Sequence, residues 1–154
     1  MKKNISLQNK PIVTHLALHV SNVLKSVEFY KLFCQLEVVH QRDGRHGPTV
    51  WLAENKKDYC FVIVLIAGGK AKDIPLGDFS HLGLAVGTKS EVDRISNLAR
   101  EKACLIWPAI QAPFPVGYYC GVCDPDGYRV EFSFDQPLVG YCHKTTQNSR
   151  VLPS

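Results

Sequence analysis

Three side chains with the chemistry of metal ligands stand out in the sequence: His15, His81 and Glu131. Each belongs to a short run in which apolar residues alternate with polar or small ones. Because successive residues of a strand point to opposite faces, all three lie opposite the apolar faces of their strands. His81 shares its face with Gly83 and Ala85, which are too small to form a packed layer. This face therefore indicates a cavity lined by a few coordinating groups.

Two imidazoles and one carboxylate are suited to holding one divalent transition-metal ion, since histidine supplies a neutral nitrogen and glutamate an anionic oxygen. Such a set leaves coordination positions open for water and substrate. It favours Fe2+, and it also suits Mn2+, Ni2+, Co2+ or Zn2+. The alternative interpretation is that both histidines are satisfied structural residues and that Glu131 is a surface carboxylate. Three such residues on related strands favour the metal site.

Two further residues are candidates for catalysis. His19 lies two positions after His15, about 6.5 to 7 Å away along a strand, where it could contact a substrate or act as a base. More often a histidine in such a position hydrogen-bonds a neighbouring ligand, and we favour that role. Of the adjacent Tyr118 and Tyr119, only one can point into the cavity, and we select Tyr119.

The elements that position these residues form a repeat. Residues 80–86 (SHLGLAV) resemble residues 14–20 (THLALHV) at an offset of 66, and each segment precedes an amphipathic helix pattern and three β-prone runs. The sequence thus predicts an α+β fold of two βαβββ modules. The predicted strands are 12–20, 36–40, 49–53, 59–66, 80–86, 104–107, 118–123 and 128–134, with helices at 21–33 and 90–102.

The repeat also defines the domain organisation. A length of 154 residues corresponds to one domain. We predict that this domain spans residues 12–135, with module one at 12–67, a linker at 68–77 and module two at 78–135. Residues 1–11 are expected to be an N-terminal extension, and residues 136–154 a C-terminal tail.

Three segments carry a resemblance to a known family: THLALHVSNVLKSVEFY, SHLGLAV and CDPDGYRVEFSF. They resemble the vicinal oxygen chelate superfamily, which includes glyoxalase I, fosfomycin resistance enzymes, extradiol dioxygenases and bleomycin resistance proteins. The resemblance implies a glyoxalase-like half-barrel with the helices on the outside. It also maps His15, His81 and Glu131 onto the family's metal ligands, with Glu131 in a PxGxxxE arrangement. A homodimer is implied as well, and in some members the metal site combines modules of two chains.

Departures from the family patterns bear on the reaction. The last strand of module one reads FVIVLI where glyoxalase I carries a second glutamate, which disfavours glyoxalase I proper. Gly121 stands where extradiol dioxygenases carry a tyrosine. Ala17 stands where fosfomycin transferases carry a threonine.

These observations predict a metal-dependent enzyme acting on a small substrate with adjacent oxygens. Whether it is a lyase, isomerase, transferase or dioxygenase stays open. The alternative is a non-catalytic drug- or metabolite-binding protein of the bleomycin resistance type. Those relatives generally lack the metal ligands, so the presence of the three residues favours catalysis.

Composition argues against several other classes. The net charge of +4 is spread along the chain without a basic stripe, so we expect no nucleic-acid partner. The longest apolar run, residues 60–68, is shorter than the roughly 20 residues of a membrane span, so we expect no membrane partner. Lys2 and Lys3 are not followed by an apolar stretch, which predicts a cytoplasmic protein with its six cysteines reduced.

Overall fold

A computed structural model describes residues 11–75 and 77–137 of the chain. The predicted extension at residues 1–11 and the predicted tail at 136–154 therefore lie almost entirely outside the described residues. In chain order the elements are β1 (His15–Val20), α1 (Val23–Cys34), β2 (Glu37–Gly44), β3 (Gly47–Ala53), β4 (Val62–Ala67), β5 (Leu82–Ala85), α2 (Lys89–Glu101), β6 (Leu105–Gln111), β7 (Tyr118–Cys123) and β8 (Arg129–Phe134).

The strands form two four-stranded sheets with the same internal order, β1-β4-β3-β2 and β5-β8-β7-β6. In each sheet the first strand of the repeat lies at an edge and pairs in parallel with the last strand of that repeat. The remaining neighbours are antiparallel. The α+β class and the two βαβββ modules are thereby confirmed.

Both helices begin where the sequence supplies a capping side chain. Asn22 accepts a hydrogen bond from the backbone N–H of Lys25 ahead of α1, and Thr88 accepts one from Glu91 ahead of α2. Such caps satisfy backbone donors that the first helical turn leaves unpaired. Each helix packs on the strands of its own repeat. The opposite faces of the sheets, which carry the candidate ligands, are thus not covered by α1 or α2.

The apolar faces of both repeats contribute to a single core, which includes Leu18 and Val20 of β1 together with Val130 and Phe132 of β8. On β1, burial follows the predicted alternation, since Leu18 and Val20 are buried while the intervening His19 is exposed. Burial of these side chains supplies the main driving force for joining the repeats.

A buried polar contact also joins the two modules. The hydroxyl of Tyr30 on α1 donates to Asp124 Oδ2 at 3.1 Å, and the backbone N–H of Ser21 donates to Asp126 Oδ1 at 3.0 Å. Asp124 Oδ1 in turn accepts from the backbone N–H groups of Asp126 and Tyr128. The turn before β8 is therefore held both internally and by module one.

Several boundaries differ from the predicted ones. Strand β4 begins at Val62 rather than at residue 59, because its parallel partner β1 begins only at His15, which pairs with Val62. Strand β2 extends to Gly44, which pairs with Gly47 across a tight turn. His81 directly precedes β5, so it lies at the entrance to the strand and not within it.

Candidate functional site

His81 and Glu131 form the centre of the site. His81 Nε2 lies 3.4 Å from Glu131 Oε2. His81 Nδ1 lies 2.6 Å from the carbonyl oxygen of Phe79, which can only accept, so Nδ1 carries a proton and donates it. In the neutral imidazole, Nε2 then has a free electron pair directed toward a carboxylate oxygen. Two electron-pair donors at this distance are suited to sharing a cation or a proton.

Glu131 is almost completely buried, with 6% of its surface exposed. Its Oε1 accepts a hydrogen bond from Gln136 Nε2 at 3.1 Å, which leaves Oε2 for the side facing His81. In the sheet its register partners are Gly83 on β5 and Gly121 on β7. A methyl group at Gly83 would meet no atom within 4 Å, so space is open beside the carboxylate.

At Gly121, the other register partner of Glu131, the space that a side chain would take is occupied by Trp107. The indole lies directly against the Gly121 backbone, and a Cβ there would overlap it. The same indole meets the His81 ring edge-on, with 5.6 Å between centroids, and stacks on Phe79 at 6.1 Å. Trp107 thus forms an aromatic wall that restricts the movement of the His81 ring.

His15 and His81 both line a cavity of about 770 Å³ that opens between the beginnings of β1 and β5. His15 Nδ1 lies 3.0 Å from the hydroxyl of Thr14. Among residues 11–75 and 77–137, however, no three His, Cys, Asp or Glu side chains form a cluster able to hold one metal ion. The structure therefore brings His81 and Glu131 together and has His15 in the same cavity, outside that pair.

The two candidate catalytic residues have different surroundings. Tyr119 pairs with Ser133, two positions along β8 from Glu131, and so shares the face of Glu131. Tyr118 points the other way and donates its hydroxyl to Asp93 of α2 at 2.6 Å. The His19 ring donates from Nε2 to the carbonyl oxygen of Ala67 at 3.1 Å, so it is held against the end of β4.

Two neighbours of the site escaped the sequence analysis. Arg129 shares the face of Glu131, and its Nη2 donates to the carbonyl oxygens of Ile74 and Pro75. Alternation along β8 signals that Arg129 lies on this face, but nothing in the sequence signals that the linker packs on it. Gln136 follows β8, and no sequence pattern around it indicates its hydrogen bond to Glu131.

The two cysteines of the CxxC motif, Cys120 and Cys123, do not extend the site. Cys120 is fully buried, and desolvation raises the pKa of its thiol to about 12. Burial also raises the pKa of Cys123, the second cysteine of the CxxC. A thiol with a raised pKa is a poor nucleophile and a poor metal ligand near neutral pH. These environments fit thiols that serve packing.

Paired βαβββ units, each with a histidine at the start of its first strand, define a protein of the vicinal oxygen chelate class. The family model for the Glyoxalase/Bleomycin resistance protein/Dioxygenase superfamily matches residues 12–132. The chain belongs to this superfamily. Within residues 11–75 and 77–137, neither helix has the length and apolar character needed to cross a membrane.

Individual proteins are also similar to this chain in sequence or in fold. Uncharacterized protein PA2024 of Pseudomonas aeruginosa is 41% identical over 128 residues, which cover 83% of this chain and 91% of that protein. The fosfomycin resistance protein FosX of Listeria monocytogenes has a similar fold, with a TM-score of 0.62, 13% identity and coverage of 83% and 96% of the two chains. TnmS3, an antibiotic binding protein of Streptomyces sp. CB03234, gives a TM-score of 0.56, 18% identity and coverage of 84% and 99%.

Proposed function

We propose that this protein is a metal-dependent enzyme that acts on a small substrate with adjacent oxygens. The observation that carries the proposal is the His81–Glu131 pair, in which Nε2 faces Oε2 at 3.4 Å while Nδ1 is bonded to the Phe79 carbonyl. Nitrogen and carboxylate oxygen are ligands that divalent transition metals accept. The donor chemistry of these residues therefore fits such an ion, and we propose His15 as the third ligand.

Surrounding contacts support the ligand role of the pair. The Phe79 carbonyl fixes the tautomer of His81, and Gln136 orients the carboxylate of Glu131. Partners of this kind hold metal-binding side chains in position and tune their basicity. We propose Tyr119 as a group that moves a proton, because it shares the face of Glu131. His19 is the second candidate, although its bond to Ala67 favours a supporting role.

A bound divalent ion would polarise the substrate oxygens and stabilise negative charge that develops on them. Fe2+ is our favoured ion, while FosX of Listeria monocytogenes has been crystallised with Mn(II), which is also within the proposed set. The open space at Gly83 leaves room for a ligand beside Glu131.

His15 lines the same cavity as His81 but does not join the pair within one described chain. We propose that the protein functions as a cytoplasmic homodimer. His15 would complete the ligand set either from the same chain or from the second copy. Mixing two inactive variants, His15→Ala and His81→Ala, separates the cases: recovery of metal binding in mixed dimers requires a site shared between chains.

Elemental analysis of gently purified protein tests the metal proposal. We expect bound divalent metal in the natural protein and a strongly reduced metal content in His81→Ala and Glu131→Gln, each of which removes a proposed ligand. His46→Ala, which removes an exposed imidazole from the turn between β2 and β3, is the matched control and should retain the metal. Absence of metal from the natural protein under reconstitution, or equal metal in all variants, would defeat the proposal.

The second candidate function is a drug- or metabolite-binding protein without catalysis. It is favoured by the 770 Å³ cavity together with the lack of a three-ligand cluster in the described chain, and the similar fold of the antibiotic binding protein TnmS3 agrees with it. Saturable binding of an antibiotic by metal-free protein, with no metal taken up, would support this function over the enzyme.

A further inference from the structure

The side chain of Arg129 is buried and forms no ion pair with any of the described residues. Only 6% of its surface is exposed. Among the described residues, its Nη1 is the one buried side-chain nitrogen or oxygen without a hydrogen-bond partner. Neither ion pair in this part of the chain involves Arg129. A buried charge normally has a hydrogen-bonded partner, because an unpaired one costs substantial desolvation energy.

Arg129 is one of the residues that line the 770 Å³ cavity, together with His15 and His81. Its Nη2 donates to the carbonyl oxygens of Ile74 at 3.2 Å and Pro75 at 2.8 Å, and both of those residues line the cavity. These two bonds account for anchoring the linker. They leave Nη1 without a hydrogen-bond partner, and Cζ lies over the Trp107 ring, 5.8 Å from its centroid.

Hydrogen bonds from Ser80 and, to a smaller extent, the charge of Arg129 lower the pKa of Asp78, but no acidic side chain in the described residues forms an ion pair with Arg129. Asp73 and Asp78 also line the cavity, together with Lys72. Asp78 Oδ1 accepts from the backbone N–H of Ser80 at 2.7 Å, and Asp78 forms no ion pair with Arg129 in the described chain. A guanidinium with a free N–H, held in place by two backbone carbonyls, is preorganised to bind an oxyanion.

We propose that Arg129 is the anion-recognition residue of this cavity and that the substrate carries a carboxylate or phosphate group, one oxygen of which accepts from Nη1. This assignment rests on the proposed function in placing the substrate in the cavity, but Arg129 and the metal ligands are separate groups. An anionic substrate with adjacent oxygens would then contact the protein at two points, which fixes its orientation.

Titration with propionate and with inorganic phosphate tests the proposal. Because Trp107 lies next to Arg129, its fluorescence in a Trp51→Phe background reports on the guanidinium. We expect a saturable change with at least one anion that sodium chloride at equal ionic strength does not produce. The preferred anion distinguishes a carboxylate from a phosphate group. No saturable response to either anion would overturn the proposal.

Variants of Arg129 test whether this residue is responsible for anion binding. Arg129→Met should weaken anion binding by roughly 10-fold to 100-fold, as expected for a hydrogen bond to a charged group. Arg129→Lys keeps the charge and should retain part of the affinity. Arg100→Met, which makes the same change on the exposed surface of α2, is the control and should bind normally. Equal binding by Arg129→Met would refute the assignment.

Two further measurements cover other outcomes. If neither Arg129 variant folds, a crystal structure of the natural protein with phosphate decides, since phosphate away from Nη1 contradicts the proposal. Repeating the titration after dialysis against a chelator and then against plain buffer separates this inference from the metal proposal. Anion binding that persists without metal supports the role of Arg129, even if no metal is ever found. Anion binding that requires metal and is unchanged in the Arg129 variants would show that the anion binds to the metal ion and not to Arg129.

Discussion

Two glycines flank Glu131, and their different surroundings provide a matched test of the site. Gly83 and Gly121 are both register partners of Glu131 in the second sheet. A Cβ at Gly83 would meet nothing within 4 Å, whereas a Cβ at Gly121 would lie 2.7 Å from Cδ2 and 2.9 Å from Cζ3 of Trp107. The same added methyl group therefore fits at one position and overlaps the indole at the other.

Gly121→Ala must displace Trp107, and we expect it to destabilise the protein by about 1 to 3 kcal/mol, the usual cost of overpacking. Gly83→Ala should leave stability unchanged or raise it by up to about 1 kcal/mol, because alanine lowers the entropy of the unfolded chain. The two variants should therefore differ by about 1 to 4 kcal/mol in unfolding free energy. Displacement of the indole should also disturb His81, whose ring it contacts.

Urea denaturation followed by far-ultraviolet circular dichroism measures the difference in unfolding free energy. Trp107 fluorescence in a Trp51→Phe background measures the displacement of the indole. We expect a changed emission spectrum for Gly121→Ala and an unchanged one for Gly83→Ala. Equal stability of the two variants, with the same Trp107 emission, would show that Trp107 does not pack on Gly121 and that the proposed aromatic wall is wrong.

Three other predictions follow from the same contacts. Gly83→Val should fold normally but lower the metal content, because its side chain fills the space beside Glu131; full metal content would mean that this space serves no ligand. Tyr30→Phe should cost about 1.5 to 3 kcal/mol in urea denaturation, since it removes a buried hydrogen bond to a carboxylate, whereas the control Tyr128→Phe removes a longer bond to a backbone carbonyl and should cost less than about 1 kcal/mol. Desolvation raises the pKa of Asp124 despite hydrogen bonds that oppose the shift, so the native state holds this proton to higher pH than the unfolded state. The difference in unfolding free energy between the natural protein and Asp124→Asn should therefore fall as the pH rises from the ordinary carboxyl pKa of about 3.9 toward the raised pKa of Asp124. A difference that stays constant over this pH range would contradict the prediction.

The sequence was sufficient to predict the repeat and most of the elements, because both depend on local patterns. Alternation and capping residues predicted β1, α1 and β7 to within a few residues. Alternation also indicated that only one of Tyr118 and Tyr119 can share the face of Glu131, and in the sheet register Tyr119 is on that face. Strand ends were less predictable, since the start of β4 depends on where its partner begins and not on its own residues.

Tertiary structure alone determined the geometry of the site. Only the folded chain shows that His81 Nε2 faces Glu131 Oε2 while His15 stays outside the pair, and that the carbonyls of Ile74 and Pro75 hold Arg129 with one nitrogen unused. These contacts join residues separated by about 50 positions or more. Periodicity specifies which face of a strand a side chain occupies. The distance between side chains on different strands depends instead on the strand order and on the packing of the linker. Strand order and linker packing are set by the whole core, and no local sequence pattern encodes them.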